Sequence, residues 1–176
     1  MAIAFLLPTK LPYLVSEVGT ASTTGTGLLL GLMGCCSALA GLFYGRLAAR
    51  MPRMQVMCLC FFLMGLGCCL LGFAASVTAI AASVIFVGFG QGALIPTIVS
   101  WISNKAPAQA MGKATGIFSV ALNLGQFGSS LMVVPILAAV GSYSNLFLAG
   151  GICSVLIAVV YAAAWMRERR GTANTV

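Results

Sequence analysis

The sequence predicts an all-α integral membrane protein, a six-helix transmembrane bundle, and three observations lead there. Of its 176 residues, 61% are hydrophobic and 6% charged. A soluble domain of this size needs about a quarter of its residues charged to cover its surface. Residues 54–104 and 114–166 contain no Asp, Glu, Lys or Arg, and residues 18–45 form a third uncharged run. Between and after these runs the Lys and Arg residues gather in short clusters, as they do in loops between membrane spans.

Each element follows from these breaks. Residues 1–16 are apolar apart from Thr9, Lys10 and Ser16, with prolines at Pro8 and Pro12. A span needs about 20 residues, so this stretch is short. It also lacks the basic opening of a signal peptide, and reads as the outer part of a helix whose beginning is missing. The third run starts polar, Thr20 to Thr24, and predicts a helix over 25–48. Run 54–104 holds two spans, 54–74 and 77–101, divided at Ala75-Ser76-Val77-Thr78. Run 114–166 likewise turns at Gly141 to Asn145, giving helices over 111–137 and 143–165. Together residues 1–166 form the bundle, and residues 167–176 form a tail.

Topology follows from the basic residues. Arg46, Arg50 and Arg53 lie between the second and third helices, and Lys105 and Lys113 between the fourth and fifth. Arg167, Arg169 and Arg170 follow the sixth. Alternating spans put all of these on one side, which the positive-inside rule assigns to the cytoplasm. The opposite connections carry no Lys or Arg, and the first carries Glu17. The expected location is the plasma (inner) membrane, multi-pass, with both termini cytoplasmic.

Composition argues against several function classes. There is no histidine, and Glu17 and Glu168 are the only carboxylate side chains. Acid–base catalysis and metal binding draw on those residue types, so neither an enzyme nor a metal or other cofactor is expected. A net charge of +7 does not make a nucleic-acid face, because the cations are split among separate loops instead of one polar patch. The seven cysteines all sit in apolar stretches without paired Cys-x-x-Cys spacing, and read as small packing residues.

Two stretches carry a resemblance. Gly41-Leu-Phe-Tyr-Gly45-Arg46-Leu-Ala-Ala49-Arg50-Met-Pro52-Arg53 resembles the cytoplasmic loop signature of the major facilitator superfamily, with Gly45, Arg46, Arg50 and Arg53 as its recognisable members. Ala49 and Pro52 stand where the motif has an acidic residue and a glycine, which suits the degraded copy after that family's eighth helix. Gly88-Phe-Gly90-Gln91-Gly92-Ala-Leu-Ile-Pro96, then Gly112-Lys113-Ala-Thr-Gly116, then Leu124-Gly125-Gln126-Phe127-Gly128 and Pro135, is similar to its tenth helix, the next loop and its eleventh helix. Leu6 to Tyr13 looks like the outer end of its seventh. The resemblance covers the whole chain and implies half of an MFS-type fold, helices seven to twelve.

That resemblance implies a secondary transporter, a C-terminal fragment moving a small-molecule substrate by alternating access, with efflux favoured over uptake. Substrate in this fold sits near the bilayer midplane between two halves, so polar side chains within helices are the candidates. Lys10 either meets an anionic partner, as an intramembrane charge suggests, or snorkels to the interface. Asn123 and Gln126 share one helix face. Gln91 shares its face with Gly88 and Gly92, which suits a bond between helices. Gly27/Gly31, Gly41/Gly45, Gly88/Gly92 and Gly112/Gly116 stand four apart, a spacing that lets helices approach closely in lipid. Pro96 and Pro135 can kink their helices. Trp101 and Trp165 read as interfacial anchors. Expected partners are the lipid bilayer and either the N-terminal half of the same transporter or a second copy. A non-transporting accessory subunit is the other reading of the same features.

Overall fold

The computed structural model describes residues 10–15, 23–74 and 76–173. The expected beginning of the first helix and the polar stretch before the second lie outside the described residues. Residues 10–15 form a short helix, α1. Five long helices follow: α2 (Thr23–Arg50), α3 (Arg53–Gly72), α4 (Val77–Lys105), α5 (Met111–Val140) and α6 (Tyr143–Ala173). Each of the five is long and apolar enough to cross a membrane, as expected of helices that satisfy every backbone group internally. The stretch expected as a tail continues α6 through Ala173.

Local chemistry sets the ends. Met51 precedes Pro52, and the residue before proline disfavours helix. Accordingly α2 stops at Arg50, and Pro52 caps α3 in extended conformation at φ −61°, ψ 145°. Ser76 caps α4 by accepting a 3.3 Å hydrogen bond from the Ala79 amide. At the far end of α4, Ala106 turns extended in front of Pro107. Gly141 closes α5 at φ 76°, donating its N–H to Leu137 O at 2.8 Å. That left-handed cap is cheap only for glycine.

The helices pack as a row. Helix α4 lies between α2 and α3, and α3 lies between α4 and α6; α5 touches its neighbours sparsely. One core cluster joins Leu11 and Leu14 of α1 to Met33, Leu71, Ile80 and Phe147. Leu71, Ile80 and Phe147 sit at the ends of α3, α4 and α6 away from the arginines. A second cluster, at the basic end, joins Val56, Cys60 and Met64 of α3 to Ala93 and Leu94 of α4.

Glycine governs the closest approaches. A methyl group at Gly90 would stand 2.7 Å from the Cys60 carbonyl oxygen, and one at Gly67 would stand 2.8 Å from that of Ser83. These fix α3 to α4. Gly65 and Gly151 do the same between α3 and α6, and Gly88 and Gly92 between α4 and α2. Close contact of this kind replaces the hydrophobic drive that lipid cannot supply.

Candidate functional site

The sequence candidates divide by depth. Lys10 lies on α1, at the end of the bundle remote from the basic loops. Its Nζ stands 5.4 Å from the centre of the Tyr13 ring. Tyr13 in turn stacks on Tyr143 with ring centres 5.6 Å apart. The lysine therefore sits in an aromatic stack that ties α1 to the start of α6, and the structure does not bring it to the other three candidates. Gln91, Asn123 and Gln126 all fall midway along their helices.

Gln91 is half-buried in α4, and its Oε1 is buried without a hydrogen-bond partner among the described residues. The sequence suggested a bond between helices, and the amide oxygen makes none among the described residues. Asn123 and Gln126 are both exposed on α5. Asn123 Nδ2 donates to Ser119 O at 2.8 Å within its own helix, so this bond leaves its Oδ1 uncommitted. Among the described residues no hydrogen bond joins Gln91 to either.

Of the glycine pairs, Gly88/Gly92 packs as expected, against Met33, Cys36 and Ser37. Gly41 meets the Gly92 carbonyl at ordinary distance, 3.7 Å. Gly112 and Gly116 do not pack: a methyl group on either would meet nothing within 4 Å, and the same holds at Gly27, Gly31 and Gly45. The reason is that these glycines lie on the outward faces of α5 and α2, which meet no other helix among the described residues. In the loop motif, Gly45, Arg46, Arg50 and Arg53 are all exposed, with the Arg46 guanidinium 5.6 Å from the Phe43 ring centre.

Those open glycines belong to larger patterns that pairwise spacing concealed. On α5, Gly112, Gly116, Ser119, Asn123, Gln126 and Ser130 recur at alternating steps of four and three, and every one is exposed. Such spacing keeps all six on one narrow helix face. On α2, Gly27, Gly31, Gly34, Ala38, Gly41 and Gly45 recur in the same way, exposed except for half-buried Gly41. The α2 stripe is wholly small; the α5 stripe is small at one end and polar in the middle. Both were visible in the sequence as a three–four repeat of small residues.

Burial of Asn and Gln against hydrocarbon is costly, so the α5 stripe suits water or another helix better than lipid tails. An all-glycine and alanine stripe suits close backbone contact. Separately, Trp101 and Trp165, expected as anchors on different helices, line one cavity with Arg53 and Lys105.

The Major Facilitator Superfamily model matches residues 1–175. No curated protein matches the chain significantly. A match of that extent, on five apolar membrane-length helices that carry the loop motif, places the chain in the Major Facilitator Superfamily of membrane transporters.

Proposed function

We propose that this chain is the C-terminal half, helices seven to twelve, of a secondary transporter that moves a small solute by alternating access. The observation that carries this reading is the pair of open stripes on α2 and α5. A second six-helix unit packs along the all-small stripe of α2. The polar centre of the α5 stripe, Asn123 and Gln126, faces the cavity between the two units at mid-membrane. Gln91 contributes its unpartnered amide oxygen from α4. The N-terminal half of the same transporter is the proposed second unit, with the basic loops and both ends of this half in the cytoplasm of a plasma-membrane protein. Export of an amphiphilic, weakly charged solute is the proposed direction, supported by how few charges the spans contain.

Two measurements test this. Cells expressing this half together with its second unit are loaded with ethidium, an amphiphilic cation, and retention is followed after energisation. Expression lowers retention, and Asn123→Leu with Gln126→Leu restores it at unchanged protein level. Export unaffected by the pair removes α5 from the path; absence of export by the unaltered protein removes the proposed solute class and direction. An antibody against residues 167–176 then identifies the second unit on blotted membranes. A band roughly double the 18.1 kDa of this chain supports the N-terminal half. A band at 18.1 kDa that cross-links to twice its mass replaces it with a second copy, and one that never cross-links to itself favours the accessory-subunit reading.

A further inference from the structure

A cavity of about 370 Å³ opens where the basic ends of α3, α4 and α6 meet. Arg53 begins α3 and Lys105 ends α4, and both line it together with Trp101, Tyr161 and Trp165. The Lys105 ammonium stands 5.4 Å from the Trp101 ring centre. Tyr161 is fixed by stacking on Phe61, ring centres 5.8 Å apart. Two cations from α3 and α4 thus line one space with aromatic rings from α4 and α6. Among the described residues no carboxylate lines it. With nine basic residues and two acidic ones in the chain, its cations far outnumber the side-chain counter-ions.

A second space adjoins the first. A groove of about 300 Å³ runs between α3 and α6, lined by Cys58, Leu59, Phe62 and Ala162. Met54 and Trp165 are walls of both spaces. At 1.5 Å per residue, Cys58 and Phe62 lie about 8 and 14 Å beyond Arg53 along α3. That depth spans roughly one leaflet of a 30 Å hydrocarbon core.

A charged, aromatic-rimmed cavity at the membrane surface that continues into an apolar groove of leaflet depth has the shape of one amphiphile. We propose that this site binds an anionic phospholipid, its phosphate on Arg53 and Lys105 and an acyl chain along the α3–α6 groove. Basic clefts between helices on the cytoplasmic side attract such headgroups, and Trp is at home at that depth. A free phosphate would satisfy the cations but leave the groove without an occupant.

Native mass spectrometry of the purified protein tests this, with palmitoyl-oleoyl phosphatidylglycerol, the matching phosphatidylcholine and glycerol 3-phosphate as probes. Phosphatidylglycerol is expected to bind about tenfold more tightly than phosphatidylcholine. Arg53→Gln with Lys105→Gln should remove about tenfold of that affinity. Lys113→Gln, on the same side but outside the cavity, should leave it intact, and Arg53→Lys with Lys105→Arg should retain most of it. Equal binding of the two lipids, or equal losses in the cavity and Lys113 variants, would overturn the site. Displacement of the lipid by equimolar glycerol 3-phosphate would overturn the lipid as occupant in favour of a soluble phosphate. Should the charge-removing pair fail to fold, lipid preference in the unaltered and charge-conserving proteins decides between the same outcomes.

Discussion

The backbone carbonyl of Ser37 on α2 occupies the space that a side chain at Gly92 on α4 would need. Only a residue without a Cβ lets the two helices approach this closely. Pro96 adds to the arrangement, since it has no N–H to offer the Gly92 carbonyl four residues earlier. The same carbonyl lies beside Gly41 of α2.

Gly92→Ala is therefore expected to force α2 away from α4 and to cost about 2 kcal/mol, in the range of overpacked cores. Fluorescence-detected thermal unfolding in detergent should show the midpoint falling by several degrees. Gly31→Ala on the open face of α2 should leave that midpoint where it was. Equal midpoints for the two variants would mean that the α2–α4 contact is looser than described.

The sequence made the spans legible because charge is too costly within lipid to be scattered, so every charged cluster marks a helix end. It made Gly88 and Gly92 legible because two small residues four apart announce a face. Gly67, Gly90 and Gly151 carried no such mark, and each is a contact point only because a particular neighbour crosses there. The gathering of Trp101 and Trp165 was hidden for a similar reason. Both were placed at the basic side, but their lining one cavity depends on α3 lying between α4 and α6, which spacing along one helix does not encode. Lys10 was ambiguous between a charge deep in the membrane and one at its edge. The packing of Leu11 and Leu14 places α1 against the ends of α3, α4 and α6 remote from the arginines.

If the α5 stripe lines an aqueous path, a cysteine at Gln126 should react with a membrane-impermeant methanethiosulfonate. A cysteine at Val159, exposed among apolar residues on α6, should not. The native cysteines set the background, of which Cys35 and Cys153 are the exposed ones, so labelling is read as the excess over the unaltered protein. Substrate should slow the Gln126→Cys reaction. Equal, negligible labelling at both positions would place the α5 stripe against lipid or a tightly packed helix.

Gln91 of α4 has a buried amide oxygen without a partner among the described residues, and a buried polar atom left so costs about 1–3 kcal/mol. Gln91→Leu removes that cost while keeping the side chain near its original size. The expected result is a thermal midpoint raised by a few degrees, with transport reduced severalfold. Stability and activity would then move in opposite directions, as they do where a site is held unsatisfied for its ligand. Loss of both together would instead assign Gln91 to packing.

Lys10 offers the contrasting case. Its ammonium lies over Tyr13, and Tyr13 stacks on Tyr143 at the non-basic end of the bundle. An exposed cation–π contact contributes about 0.5–1 kcal/mol, so Lys10→Gln should lower the thermal midpoint slightly. Lys10→Arg should hold it, because a guanidinium stacks on the same ring. Solute transport should stay within about twofold of the unaltered protein for both variants, on the ground that α1 packs at the non-basic ends of α3, α4 and α6, away from Asn123 and Gln126. A severalfold fall in transport by Lys10→Gln, rescued by Lys10→Arg at equal stability, would return the lysine to the solute path as an electrostatic contact.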